Sequence, residues 1–162
     1  MKNIVVPLLI LLGAISTRVP AFSQTAAPTK DEQNLELLRK DLRSQKKQLI
    51  AANMPLTDAE AQKFWPVYDQ YTAELTKVND TKLALIKEYA DNFGKLTDAQ
   101  AQSIIQRWAA ADEAAVQLRT KYVGQVSKVL PGRKSALFFQ VDRRIGVLTD
   151  LQAASEIPLV EP

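Results

Sequence analysis

The stretch Leu56 to Phe93, LTDAEAQKFWPVYDQYTAELTKVNDTKLALIKEYADNF, decides the fold. Thr57 stands where its hydroxyl can accept the amide of Glu60 while the Glu60 carboxylate reaches back to the amide of Thr57, the reciprocal pairing of a capping box. Behind that start Phe64, Val67, Tyr68, Tyr71, Leu75, Val78, Leu85, Ile86, Tyr89 and Phe93 keep one face apolar, which predicts a long amphipathic helix. At ~1.5 Å per residue it is a rod of roughly 50 Å. Pro66 lies inside it and deletes a bond to the Gln62 carbonyl. That change is expected to bend the rod, at ~3 kcal/mol if nothing compensates.

Gly94 and Lys95 separate this helix from a second capping box, Thr97 with Gln100. It opens a helix running through Ile104, Ile105, Trp108, Ala111, Ala115, Leu118, Tyr122 and Val126 to Leu130. Pro131-Gly132 interrupts the chain, with Pro131 also suited to begin the next helix. That last helix presents Leu137, Phe138, Val141, Ile145, Leu148 and Leu151 and is predicted to end before Pro158. The apolar tail within 157–162 is expected to pack on something. Upstream, Asn53-Met54-Pro55 ends a helix predicted from Asp31 to Ala52, because Pro55 forces Met54 out of helical space. Leu35, Leu38, Leu42 and Leu49 form its narrow apolar stripe, and Arg39, Lys40, Arg43, Lys46 and Lys47 make the remaining face basic. The predicted fold is therefore all-α: four helices, two of them long, in a bent antiparallel hairpin forming one domain over 31–156.

The 162 residues are 46% hydrophobic and 24% charged, with no Cys and no His. Those absences remove His/Cys zinc sites, cysteine nucleophiles, disulfides and Ser-His-Asp catalysis together. At the N-terminus, Lys2, the apolar run from Ile4 to Ile15 and Ala21-Phe22-Ser23 read as an export signal over 1–23, followed by a flexible leader over 24–30. A membrane anchor is the rival, but a span needs roughly 20 apolar residues. Cleavage after Ser23 would leave 139 residues with 19 basic and 18 acidic side chains. That is no polycation, so nucleic acid is not an expected partner. The charge is local instead: between Arg119 and Arg144 seven basic residues face one acid, Asp142.

Leu56-Thr57-Asp58-Ala59-Glu60-Ala61-Gln62 and Leu96-Thr97-Asp98-Ala99-Gln100-Ala101-Gln102 agree at six of seven positions, forty residues apart. Convergence on good helix starts explains this as well as repetition of a helical hairpin does. With its export signal and basic first helix, the chain resembles the LTxxQ-motif proteins of the bacterial envelope, the Spy/CpxP-like family. Leu96, Thr97 and Gln100 match the motif in full; Leu56 and Thr57 match, while Glu60 replaces Gln. The resemblance implies a cradle-shaped helical homodimer in the periplasm, acting without ATP or any cofactor as a chaperone or as an adaptor restraining a stress sensor. The metal-sensing relatives' ligands have no counterpart here. The motif residues are expected to be structural caps.

A surface that holds unfolded chains needs exposed apolar groups beside charge. Trp65 and Phe139 lie one step off the apolar stripes, so each is as open to exposure as to core packing. With Arg39, Arg43, Lys46, Arg133, Lys134, Arg143 and Arg144 they form the candidate partner-binding set, the alternative for every cation being a solvated helix face. Partners to expect are unfolded clients or an envelope sensor, with weak contact to an anionic membrane as a variant. A scaffold with one fixed partner is the competing reading. An enzyme built on carboxylates such as Asp69 and Glu74 would need a pocket to perturb them.

Overall fold

The computed structural model describes residues 30–160, so the predicted export signal and most of the predicted leader lie outside the described residues. Four helices follow in order: α1 (Lys30–Asn53), α2 (Asp58–Asn92), α3 (Asp98–Val129) and α4 (Gly132–Glu156). The described residues contain no strand. The chain divides into two units between Leu37 and Leu38, and all packing described below lies within residues 38–160. Lys30 already belongs to α1, one residue before the predicted start.

Both capping boxes form. The Thr57 amide donates to Glu60 Oε2 at 2.8 Å and the Glu60 amide donates to Thr57 Oγ1 at 3.3 Å. In the second box the Thr97 amide donates to Gln100 Oε1 at 2.9 Å and the Gln100 amide to Thr97 Oγ1 at 3.3 Å. Leu56, half-buried, packs against the core behind the first box, and Leu96 is likewise half-buried. Helix α2 runs uninterrupted through Pro66. Both Gln62 and Pro66 are exposed, where water can take the carbonyl that the ring leaves unpaired. Between α2 and α3 the chain reverses at Gly94, whose φ of +72° is a conformation that costs a residue with a Cβ. Pro131 stands at the N-cap of α4, with no side-chain cap.

Each cap should be worth ~1 kcal/mol, because the hydroxyl satisfies an amide with no partner inside the helix. Thr57→Ala and Thr97→Ala are therefore expected to lower urea-unfolding stability by about that amount. An unmoved urea midpoint in both variants would mean that the hydroxyls do not hold the helix starts.

Helices α2 and α3 are antiparallel. Moving along α2 from Glu74 through Lys82 to Glu88, the ion-pair partners fall back along α3 from Lys121 through Asp112 to Arg107. Helix α4 runs in the same sense as α2. Phe138 meets the rings of Phe64 and Tyr68, Asp142 meets Tyr71, and the Tyr89 hydroxyl donates to the Pro158 carbonyl at 3.0 Å. The tail is thus held at Pro158, while Leu159 is exposed. The core gathers where all four helices meet: Ile50 and Met54 from α1 and its end, Phe64, Tyr68 and Tyr71 from α2, Tyr122 and Val126 from α3, and Phe138 from α4.

Candidate functional site

At the centre of this junction lies an acid that composition had counted only as the lone negative charge in a basic run. Asp142 is 2% exposed. The Tyr71 hydroxyl donates to its Oδ2 at 2.8 Å, and the Lys46 ammonium lies 2.7 Å from Oδ1. That second contact is an ion pair without hydrogen-bond alignment, since Oδ1 has no hydrogen-bond partner. Arg119 Nε stands 4.0 Å from Oδ2 and is itself buried without a hydrogen bond. One side chain from each helix therefore meets at a single carboxylate. Burial first, and then the Asp142 charge, push the Tyr68 and Tyr71 phenols well above the ordinary range, so both stay neutral.

A second polar cluster ties α2 to α3. Tyr122 donates to Glu74 Oε1 at 2.8 Å, and Lys121 reaches the same carboxylate at 2.7 Å. The Lys121 bond, and after it the Tyr122 bond, hold the Glu74 carboxyl below its usual range. A general acid needs the opposite shift. Burial and the Glu74 bond push the Tyr122 phenol up to about 12. Asp69, the other carboxylate of the enzyme reading, is paired with Lys47 at 2.6 Å. Among the described residues no group of three or more Asp or Glu is placed to hold a metal ion, and no described helix is long and apolar enough to cross a membrane.

The predicted binding residues divide by environment. Lys46 is drawn into the Asp142 junction, and Lys134 pairs with Glu60, the capping-box carboxylate. Trp65 is half-buried, edge-on to Phe64 and Tyr68, with the Lys47 ammonium 5.1 Å from its ring centroid. Phe139 is half-buried, 4.7 Å from the Phe138 ring centroid, and packs against the core. Arg43, Arg133, Arg143 and Arg144 are exposed. The Arg39 side chain lies outside the described ones. Structure therefore gives Lys46 and Lys134 packing partners that their position in a basic run did not announce.

Exposed apolar residues lie elsewhere than expected. The stripe that predicted Leu148 and Leu151 as core positions is corrected by α4, which leaves them 67% and 65% exposed. Its inward face carries Ser135, Phe138 and Asp142, then half-buried Gly146 and Ala153. Leu137, Val141 and Ile145, on the same stripe, are half-buried against the core, so the stripe holds where α4 crosses the junction and the two leucines continue it beyond the core. Arg144, Leu148 and Leu151 stand at i, i+4 and i+7, so they share one face of the helix. Similar departures occur on α1 and α3. Leu42 and Leu49 are exposed at a seven-residue spacing, and Ile105, predicted on the core stripe, is 63% exposed. Trp108 is half-buried with the Lys82 ammonium 5.7 Å from its ring centroid.

No family model, curated protein or solved structure matches the chain.

Proposed function

We propose that this chain is a periplasmic, ATP-independent holdase or stress adaptor of the LTxxQ type, binding unfolded or partner proteins on exposed apolar and basic helix faces. The observation that carries this reading is the outward face of α4, where Leu148 and Leu151 remain exposed beside Arg144, with Arg143 adjacent. Apolar groups left in water cost free energy unless something covers them, and flanking cations attract acidic chains over long range. Two intact capping boxes at the motif positions support the family reading. Leu42 and Leu49, exposed on one face of α1, suit a second copy of the chain as a dimer partner. Asp69 and Glu74, the carboxylates of the enzyme reading, are tied into ion pairs, which favours action by binding.

Replacing both Arg143 and Arg144 with Glu tests this surface. At low salt the double variant should associate with an unfolded acidic client several-fold more slowly, about the effect expected when steering is reversed. The difference should fade as salt is raised, because exposed charges are screened over ~10 Å at 0.1 M. Thermal stability should change little. Stopped-flow binding of a reduced, carboxymethylated acidic protein reads this directly, and equal rates at low salt would return both arginines to a merely solvated face.

A further inference from the structure

Helix α1 is held to its neighbours in two different ways along its length. At its C-terminal end Ile50 is 0% exposed and Met54, just beyond the helix, is 5% exposed, both within the core. Upstream, over 40–49, no apolar side chain is buried: Leu42 and Leu49, the apolar residues of that stretch, are 56% and 51% exposed. Every residue there is exposed except Lys46 and Lys47, which are half-buried. A groove of about 680 Å³ opens between this stretch and α2. Charge fastens what apolar packing does not. Lys46 lies 2.7 Å from Asp142 of α4. Lys47 donates to Asp69 of α2 at 2.6 Å, and its ammonium stands over the rings of Trp65 and Tyr68.

The docked arrangement is destabilised at the same place. Among the described residues, the buried side-chain atoms without a hydrogen-bond partner are the Tyr68 hydroxyl, Arg119 Nε and Asp142 Oδ1. Tyr68 lies beneath Lys47, and Asp142 beneath Lys46, with Arg119 Nε 4.0 Å from its carboxylate. Each of these groups forgoes water without gaining a protein partner, and lifting the two lysines readmits water to Tyr68 and Asp142. Segments with few buried apolar contacts open locally at free energies below that of global unfolding. We infer that α1 upstream of Ile50 is an arm that opens on its own, anchored at the buried Ile50 and Met54, clasped by Lys46 and Lys47, and uncovering Trp65 and Tyr68 when it lifts. Ionic strength is the input it answers to, because the side chains of the Lys47–Asp69 pair are 43% and 57% exposed and so within reach of screening. The arm does not depend on the α4 face, so either can fail without the other.

Hydrogen exchange of the full chain, read by mass spectrometry at several urea concentrations below the unfolding transition, tests the arm. Amides of 40–49 should exchange about a hundredfold faster than those of α2 around Tyr71 and with little dependence on urea, yet more slowly than an unstructured peptide. Raising NaCl from about 0.05 M to about 0.5 M should speed their exchange several-fold. Lys47→Met should speed it about fivefold at low salt and remove most of the salt response. Tyr68→Phe should slow it several-fold, since closure then buries no hydroxyl without a partner. Exchange of 40–49 with the rate and urea dependence of α2 would overturn the inference, because α1 would then open only with the whole fold. Exchange at the unstructured rate, protection lost on dilution of the protein, or an undiminished salt response in Lys47→Met would overturn it as well, since the lysine clasp would not be what holds the arm. Faster exchange in Tyr68→Phe would mean that this hydroxyl fastens the arm instead of loosening it.

Discussion

Phe138→Ala is expected to lower unfolding stability by about 3–5 kcal/mol, the largest effect of any single aromatic truncation in this fold. The ring is 0% exposed. Its centroid lies 5.1 Å from Phe64, 6.0 Å from Tyr68, 6.0 Å from Tyr71 and 4.7 Å from Phe139. Removing it empties the aromatic seam between α4 and α2, and edge-on aromatic contacts add to the lost burial. Leu148→Ala, ten residues further along the same helix, is the internal control. That leucine is 67% exposed, so its loss should move stability by no more than about 0.5 kcal/mol. Urea unfolding of both variants measures the contrast. Equal losses at the two positions would mean that Leu148 is buried as deeply as Phe138.

The second large effect concerns the junction at Asp142. Lys46→Met should cost about 2–3 kcal/mol, because it leaves a buried carboxylate with only Tyr71 and a distant Arg119. Asp142→Leu should cost a similar amount, since the Tyr71 hydroxyl loses its acceptor inside the core. Both estimates sit at or below the usual range for broken buried pairs, as Lys46 retains 22% exposure and can turn toward water. The double variant Lys46→Met, Asp142→Leu should lose clearly less than the two single losses together, by about 1 kcal/mol or more, because neither charge is then left without its partner. Strict additivity in the urea midpoints would mean that the two side chains do not interact.

Helix ends were legible in the sequence because their chemistry is local. Thr57 with Glu60, Thr97 with Gln100, Gly94, Pro131 and Pro158 each act within a few residues, and the four helices start and stop within a residue or two of where those signals put them. Phe64 and Phe138, on apolar stripes, are fully buried as expected. Long-range pairing was not legible. Asp142 meets Tyr71 and Lys46, residues far away along the chain, and nothing near position 142 marks an acid that will be buried. The unusual feature available in the sequence was that it stood alone among seven cations. Leu148 and Leu151 were misplaced because they continue the stripe of Val141 and Ile145 past the end of the core, and a repeat within one helix does not show where its neighbours stop. The same blindness applied to the cations: Lys134 lies in the same charge run as the exposed Arg133 and Arg143, yet its ammonium closes onto Glu60 of the capping box. The tail was half-readable, with Pro158 held by Tyr89 and Leu159 and Val160 exposed.

The proposed function has exposed helix faces hold unfolded chains without an energy source. The most direct measurement is light scattering during aggregation of two unrelated chemically denatured proteins diluted into buffer, with and without the purified chain and with no nucleotide present. Stoichiometric amounts of the chain should suppress aggregation of both clients, more strongly at low salt for the more acidic one. Suppression of neither, with the chain folded throughout, would contradict the account.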